Sequence, residues 1–193
     1  MLRRILLLAI LTTVSASPAL AHTGVHLVHS FASGIAHPLG GSDHILAMIT
    51  VGLWAAVAGG RTIWIWPTTF VATMLAGFAA ARLSLPIPFV ESVVLSSVVI
   101  LGLLVAFSVK APLALGAAIM GLFGFFHGHA HGAETAAADL IPYAAGFALA
   151  TAALHSTGVG LGLFAKGWIG RVALRTMGGL TVLGGVALIA VAP

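Results

Sequence analysis

Two polar stretches, FHGHAHGAE at residues 126–134 and HPLGGSDH at residues 37–44, interrupt a chain that is otherwise almost entirely apolar. Together they contain five of the nine histidines and two of the four acidic residues. Neutral imidazole and ionised carboxylate are the ligands that bind divalent transition metals in proteins. The two stretches therefore predict a metal site, and the fold has to bring them together.

The composition around these stretches is that of a membrane protein. Of 193 residues, 60% are hydrophobic and 6% are charged, whereas a soluble domain carries about 25% charged residues. We therefore expect an all-α integral membrane protein with the lipid bilayer as its environment. The net charge of +4 rests on too few residues to indicate nucleic-acid binding. Without cysteine, a metal site must use nitrogen and oxygen ligands, supplemented at most by a methionine thioether.

The N-terminus has the features of a secretory signal peptide. Arg3 and Arg4 precede an apolar run at residues 5–14, and the segment SPALA at residues 17–21 ends in a small-x-small pattern. This pattern predicts cleavage after Ala21, with an uncleaved first helix as the alternative. Residues 1–21 are thus expected to be removed, leaving a permease domain at residues 22–193.

Six apolar segments follow, each near the roughly 20 residues that cross the hydrocarbon core. Cations are unevenly distributed among their connections, with five on one side and only Arg82 on the other. The positive-inside rule places the five in the cytoplasm and the mature N-terminus in the periplasm. Trp64, Trp66 and Trp168 are then expected in the cytoplasmic interfacial belt. Glycines three to five residues apart in the fourth segment predict close helix packing. The segments are 43–60, 64–82, 89–109, 112–130, 139–164 and 170–191, and the cytoplasmic cations are Arg61, Lys110, Lys166, Arg171 and Arg175.

The first motif combines a helix break with three candidate ligands. Proline and two glycines at residues 38–41 predict that no helix continues through them, and Ser42 is a good N-cap for the next helix. His37 is then expected in a turn that folds back towards Asp43 and His44 in the first helical turn. The alternative is that Asp43 merely complements the helix N-terminus and that His44 snorkels at the membrane interface.

The second motif places its candidate ligands on one helix face. His127 and His131 are four residues apart, and Glu134 is three residues after His131, so a continuous helix aligns all three. His129 points elsewhere and is an auxiliary candidate. The alternative is a hydrated loop rich in histidine and glycine. With the predicted topology, both motifs lie at the outer face of the membrane.

Further residues are auxiliary candidates for metal binding. The N-terminal histidines recur at intervals of four and three residues, which fits one face of a short helix. Met48 lies one turn after His44, and gap-filling is its alternative role. His155 lies well inside the fifth segment, where an ionisable residue often marks a transport pathway, with helix packing as the alternative. The auxiliary set is His22, His26, His29, Met48, His129 and His155.

At these motifs the chain resembles the HupE/UreJ family of nickel/cobalt permeases associated with hydrogenase and urease operons. The family pattern H-P-x-x-G-x-D-H-x-x-x-M matches residues 37–48, and F-H-G-x-x-H-G-x-E matches residues 126–134. The resemblance covers essentially the whole chain. It implies uptake of Ni²⁺, and in some members Co²⁺, as a transported substrate, with no prosthetic group.

The sequence thus predicts a bacterial inner-membrane permease, not an enzyme, that imports Ni²⁺ or Co²⁺ from periplasm to cytoplasm for metalloenzyme maturation. The expected metal ligands are His37, Asp43, His44, His127, His131 and Glu134. The main alternative is an intramembrane zinc-dependent hydrolase that uses the same residues, although the H-E-x-x-H motif is absent. A periplasm-facing metal sensor is a third alternative. The sequence is compatible with a homo-oligomer.

Overall fold

The computed structural model describes residues 31–134 and 140–192, and this part of the chain forms seven α-helices and no strand. The predicted signal peptide lies outside the described residues. The connections between the helices are short, and Gly59 and Gly60 turn the chain with φ of 75° and 63°, which glycine adopts without steric cost. The helices are α1 (Phe31–Gly40), α2 (Ser42–Ala58), α3 (Thr62–Arg82), α4 (Val90–Ala106), α5 (Leu113–Glu134), α6 (Leu140–Phe164) and α7 (Gly167–Val191).

The helices are those of a multi-pass membrane protein. Within the described residues, four helices (α3, α5, α6 and α7) are long and apolar enough to cross a membrane. The α1–α2 pair qualifies as a fifth, bent span, whereas α4 is apolar but has only 17 residues. Each of the six apolar segments predicted from the sequence contains most or all of one of the helices α2 to α7.

The predicted helix break is present, but its position differs from the prediction. The axes of α1 and α2 differ by 88°, and only Gly41 separates the two helices. Pro38 lies inside α1; its ring imposes a φ that is compatible with a helix, although it cannot donate a helical hydrogen bond. His37 therefore lies in the last turn of a helix, and its expected place in an irregular turn was wrong. The N-cap of α2 is Gly41 and not Ser42, which is already helical.

Three glycines spaced four residues apart on α5 bring its backbone directly onto the backbone of α3. A Cβ added at any of them would collide with a main-chain carbonyl of α3. The contacts advance in the same direction along both helices, so α3 and α5 are parallel. Small residues allow this approach, and the predicted close packing is confirmed. The facing pairs are Gly124 with Phe70, Gly128 with Met74 and Gly132 with Phe78.

Gly128→Ala should destabilise the protein, because the new methyl group has no space against the carbonyl of Met74. We expect a loss of about 1–3 kcal/mol, as for other overpacked interiors, measured as a lower melting temperature in detergent. Gly121→Ala is the matched control on the same helix. Its Cβ would meet Thr73 and Thr69 at the ordinary contact distances of 3.6 and 3.8 Å. Equal melting temperatures for the two variants would contradict this packing account.

Two further pairs, α2 with α6 and α4 with α7, also meet at glycines, Gly52 with Gly158 and Gly102 with Gly178. In addition, α1 packs on the first half of α6. Core side chains fill the centre of the bundle, among them the fully buried Met48, Trp54 and Phe70.

The connections that carry Arg61 and Lys110 lie at the end of the bundle opposite to the histidine motifs. The indole of Trp54 donates a hydrogen bond to Val109 O (2.8 Å), and that of Trp66 donates one to Leu113 O (3.0 Å). Trp66 is fully buried and stacks on Trp54, so its predicted place in the lipid interface was wrong. Its indole N–H found a partner inside the protein instead.

Candidate metal site

The two sequence motifs meet at one end of the bundle. Helix α1 ends with His37, the first turn of α2 carries Asp43 and His44, and the last two turns of α5 carry His127, His131 and Glu134. The sharp bend at Gly41 allows residues on both sides of the break to face α5. Residues separated by as many as 94 positions therefore come into direct contact.

His131 is the centre of this group. Its Nδ1 lies 2.7 Å from Nε2 of His37 and 3.8 Å from a carboxylate oxygen of Glu134. Its Nε2 contacts Nε2 of His44. One ligand atom from each of His37, His131 and Glu134 lies within 4.8 Å of the other two. This is the arrangement expected of residues that share an ion.

His44 connects this group to a second carboxylate. Its Nδ1 lies 3.0 Å from a carboxylate oxygen of Asp43, while its Nε2 faces His131. Asp43 is partly exposed at 27% and His44 is largely buried. A carboxylate that accepts a hydrogen bond from Nδ1–H fixes the ring so that Nε2 presents its lone pair to a metal. Asp43 is thus placed both to orient the ring of His44 and to supply a negative charge to the site.

His127 lies on α5 one turn before His131, and its ring centroid is 5.6 Å from that of His44. Its Nδ1–H donates a hydrogen bond to Phe123 O at 2.8 Å. Its Nε2 is buried and has no hydrogen-bond partner among the described residues. A backbone carbonyl on one ring nitrogen and a free lone pair on the other is the usual arrangement of a metal-ligating histidine.

Sequence reasoning missed the aromatic wall of the group. The ring of Phe147 lies 4.7 Å from that of His131, and Tyr143 lies 6.0 Å from His37. Both are buried residues of α6. Tyr143 is the only tyrosine of the chain, and this rarity was the one signal that could have indicated it. The wall limits the access of water and raises the strength of electrostatic interactions inside.

The auxiliary candidates are dispersed. Nε2–H of His129 donates to Leu85 O at 2.9 Å, which holds the connection between α3 and α4 and directs this ring away from the group. Met48 is fully buried in the apolar core. His155 is buried on α6, with its ring centroid 5.1 Å from that of Phe70. The predictions for His22, His26 and His29 fall outside the described residues.

The group as a whole has four imidazoles and two carboxylates, with one carboxylate at each end. Such a nitrogen-rich set suits Ni²⁺, Co²⁺, Zn²⁺ and Cu²⁺ better than Mg²⁺ or Ca²⁺, which prefer oxygen. Two negative charges offset a dication at the edge of a low-dielectric bundle. The arrangement is therefore able to replace part of the hydration shell of a divalent transition metal.

Comparison with known proteins agrees with the sequence motifs. The profile of the family described as HupE / UreJ protein matches residues 9–188. The chain is 42% identical to Protein HupE of Rhizobium leguminosarum bv. viciae over 185 residues, which cover 93% of this chain and 96% of the relative. No solved structure matches.

Proposed function

Because this chain belongs to the HupE/UreJ family, which is associated with nickel and cobalt uptake, we propose that it is a permease importing Ni²⁺ or Co²⁺. The ion would pass from the periplasm to the cytoplasm of a bacterium and supply hydrogenase or urease maturation. It is the transported substrate and not a resident cofactor. The observation that carries this proposal is the junction at His131, where ligands from α1, α2 and α5 converge.

The arrangement of ligands supports stepwise dehydration. The side chains of Glu134 and Asp43 are 31% and 27% exposed, more than those of His131 and His44, and a hydrated dication meets these charges first. The buried rings of His131 and His44 then replace water molecules as ligands. Both steps occur before the ion reaches the apolar core, where an unliganded charge is costly.

The proposed topology has six crossings, α2 to α7, after a signal peptide removed at Ala21. It is supported by the five cations on one side, which the positive-inside rule assigns to the cytoplasm. The metal site then opens to the periplasm. An inside-negative potential favours entry of a dication by about 4.6 kcal/mol per 100 mV, twice the value for one charge. His22, His26 and His29 would raise the local metal concentration near this entrance.

The zinc-hydrolase alternative receives no support from the family assignment. The same His, Asp and Glu residues fit a zinc ion chemically, so the two hypotheses differ in what the protein does with a bound metal. A transporter moves the ion across the membrane without any organic substrate, and this difference is measurable.

Purified protein in proteoliposomes should take up radioactive Ni²⁺ when the potential is negative inside. Competition by excess Co²⁺ should reduce uptake, and the same excess of Mg²⁺ should not, because nitrogen ligands discriminate against Mg²⁺. Protein-free vesicles and vesicles without a potential are the controls. Uptake no faster than in protein-free vesicles would remove the permease proposal.

A further inference from the structure

His155 is a buried imidazole that the site described above does not use. It lies on α6 with 1% of its surface exposed, and neither ring nitrogen has a hydrogen-bond partner among the described residues. Burying a polar group without a partner is costly, and most buried polar groups have one. A histidine kept in this state therefore suggests a partner from outside the described residues, such as a bound ion.

His155 lies deeper in the bundle than the contacting group of the two motifs, which is called the outer site from here on. The outer site consists of His37, Asp43, His44, His127, His131 and Glu134. Its backbone packs against Gly52 of α2, which follows His44 by eight residues, or about 12 Å along the helix. Among the nine histidines, those of the two motifs lie at the outer end. Between that end and the opposite, basic end, His155 is the only imidazole on a described helix.

Phe70 connects His155 with the outer site. Its ring lies 5.4 Å from His127 and 5.1 Å from His155, measured between ring centroids. Nε2 of His127 is likewise buried, with no hydrogen-bond partner in the part of the chain that the structure describes. Both histidine rings thus contact the same aromatic ring, and His127 belongs to the outer site whereas His155 does not.

A groove of about 600 Å³ between α3 and α6 has His155 in its lining. Its lining includes Ser156 and Gly160 on α6 and extends along α3 from Leu75 to Trp64. Trp64 is in the first turn of α3, at the basic end of the bundle. The groove therefore extends towards the end where the proposed topology places the cytoplasm.

We propose that His155 is an inner metal ligand, which receives a divalent transition-metal ion from His127 beside Phe70 on its way towards the basic end of the bundle. This inference rests on the permease function proposed above and adds a second metal-binding position along the path of the ion. A free imidazole lone pair is a ligand for Ni²⁺ and Co²⁺. At this depth, a nitrogen ligand would lower the cost of moving a partly dehydrated dication.

The test compares His155→Leu and His155→Phe with wild type. The full-length proteins are reconstituted in proteoliposomes, and the uptake of external Ni²⁺ is measured. Thr157→Ala is the matched control, since its exposed hydroxyl bonds only to Ala153 O of its own helix. We expect both His155 variants to lose at least about tenfold in maximal Ni²⁺ uptake rate, the scale of other ligand-environment losses. The Ni²⁺ concentration for half-maximal uptake should change less than about twofold, because the outer site is intact.

Thermal unfolding in metal-free buffer distinguishes a ligand from a structural histidine. Replacing an unpartnered buried imidazole by an apolar side chain should leave the melting temperature unchanged or raise it. Slow uptake with a maintained melting temperature in either variant supports the proposal. Wild-type uptake rates in both variants, or loss of uptake only together with a lower melting temperature in both, would overturn it. Failure of the wild-type protein itself to transport Ni²⁺ would instead reject the permease function.

Discussion

Asp43→Asn is expected to abolish nickel uptake while the protein still folds and inserts. The carboxylate lies 3.0 Å from Nδ1 of His44, and asparagine retains an oxygen that accepts the same hydrogen bond. The substitution therefore removes the negative charge and little else. Without it, a dication at the membrane edge loses one of the two charges that offset its own. We expect uptake to fall by about 100-fold at limiting metal, the upper end for residues that orient metal ligands.

The control for this substitution is Asp139→Asn, which also removes one carboxylate from the chain and belongs to neither sequence motif. It should retain most of the uptake. The melting temperature of Asp43→Asn should decrease little, because a carboxylate in the first helical turn contributes about 1 kcal/mol or less. Near-normal uptake by Asp43→Asn at limiting nickel would remove the central role given to this charge.

His44→Ala and His131→Ala should each strongly reduce uptake while leaving it measurable above background, and combining them should cost little more than either alone. The two Nε2 atoms are in contact, and each ring is also tied to its own carboxylate, Asp43 or Glu134. Residues that act as one unit give strongly non-additive losses. The measurement is Ni²⁺ uptake by the two single variants and the double variant, analysed as a double-mutant cycle.

His129→Gln is the matched control for this cycle, because His129 lies on the same helix as His131 but bonds to Leu85 O. A glutamine amide can donate the same hydrogen bond, so uptake should remain within about twofold of wild type. Independent, multiplicative losses for His44 and His131 would leave a transporter but would indicate two sequential sites in place of one.

The parts of the fold that were predictable follow from strong local patterns. Long apolar runs fixed the approximate extent of helices α2 to α7, and the glycines before Asp43 indicated a break. The four-residue spacing of His127 and His131 aligned them on one helix face. The topology then placed both motifs at the same end of the bundle, and the structure brings them into contact.

Features that depend on which helices are neighbours were not predictable in this way. The aromatic wall of Tyr143 and Phe147 exists because α1 packs on the start of α6, and the sequence carries no mark of that pairing. The burial of Trp66 depends on a carbonyl 47 residues away. His37 is helical because α1 continues through Pro38. The general rule that proline interrupts a helix predicted an earlier end.

The glycine contacts have a mechanical consequence. Backbones that touch along α3 and α5, and likewise along α2 and α6, cannot slide past one another without collisions, so each pair behaves as a rigid body. Asp43 and His44 belong to one of these bodies, and His131 and Glu134 belong to the other. An ion bound by all four would therefore connect these two helix pairs. In the permease proposed above, opening of the site would therefore require these helix pairs to move relative to one another.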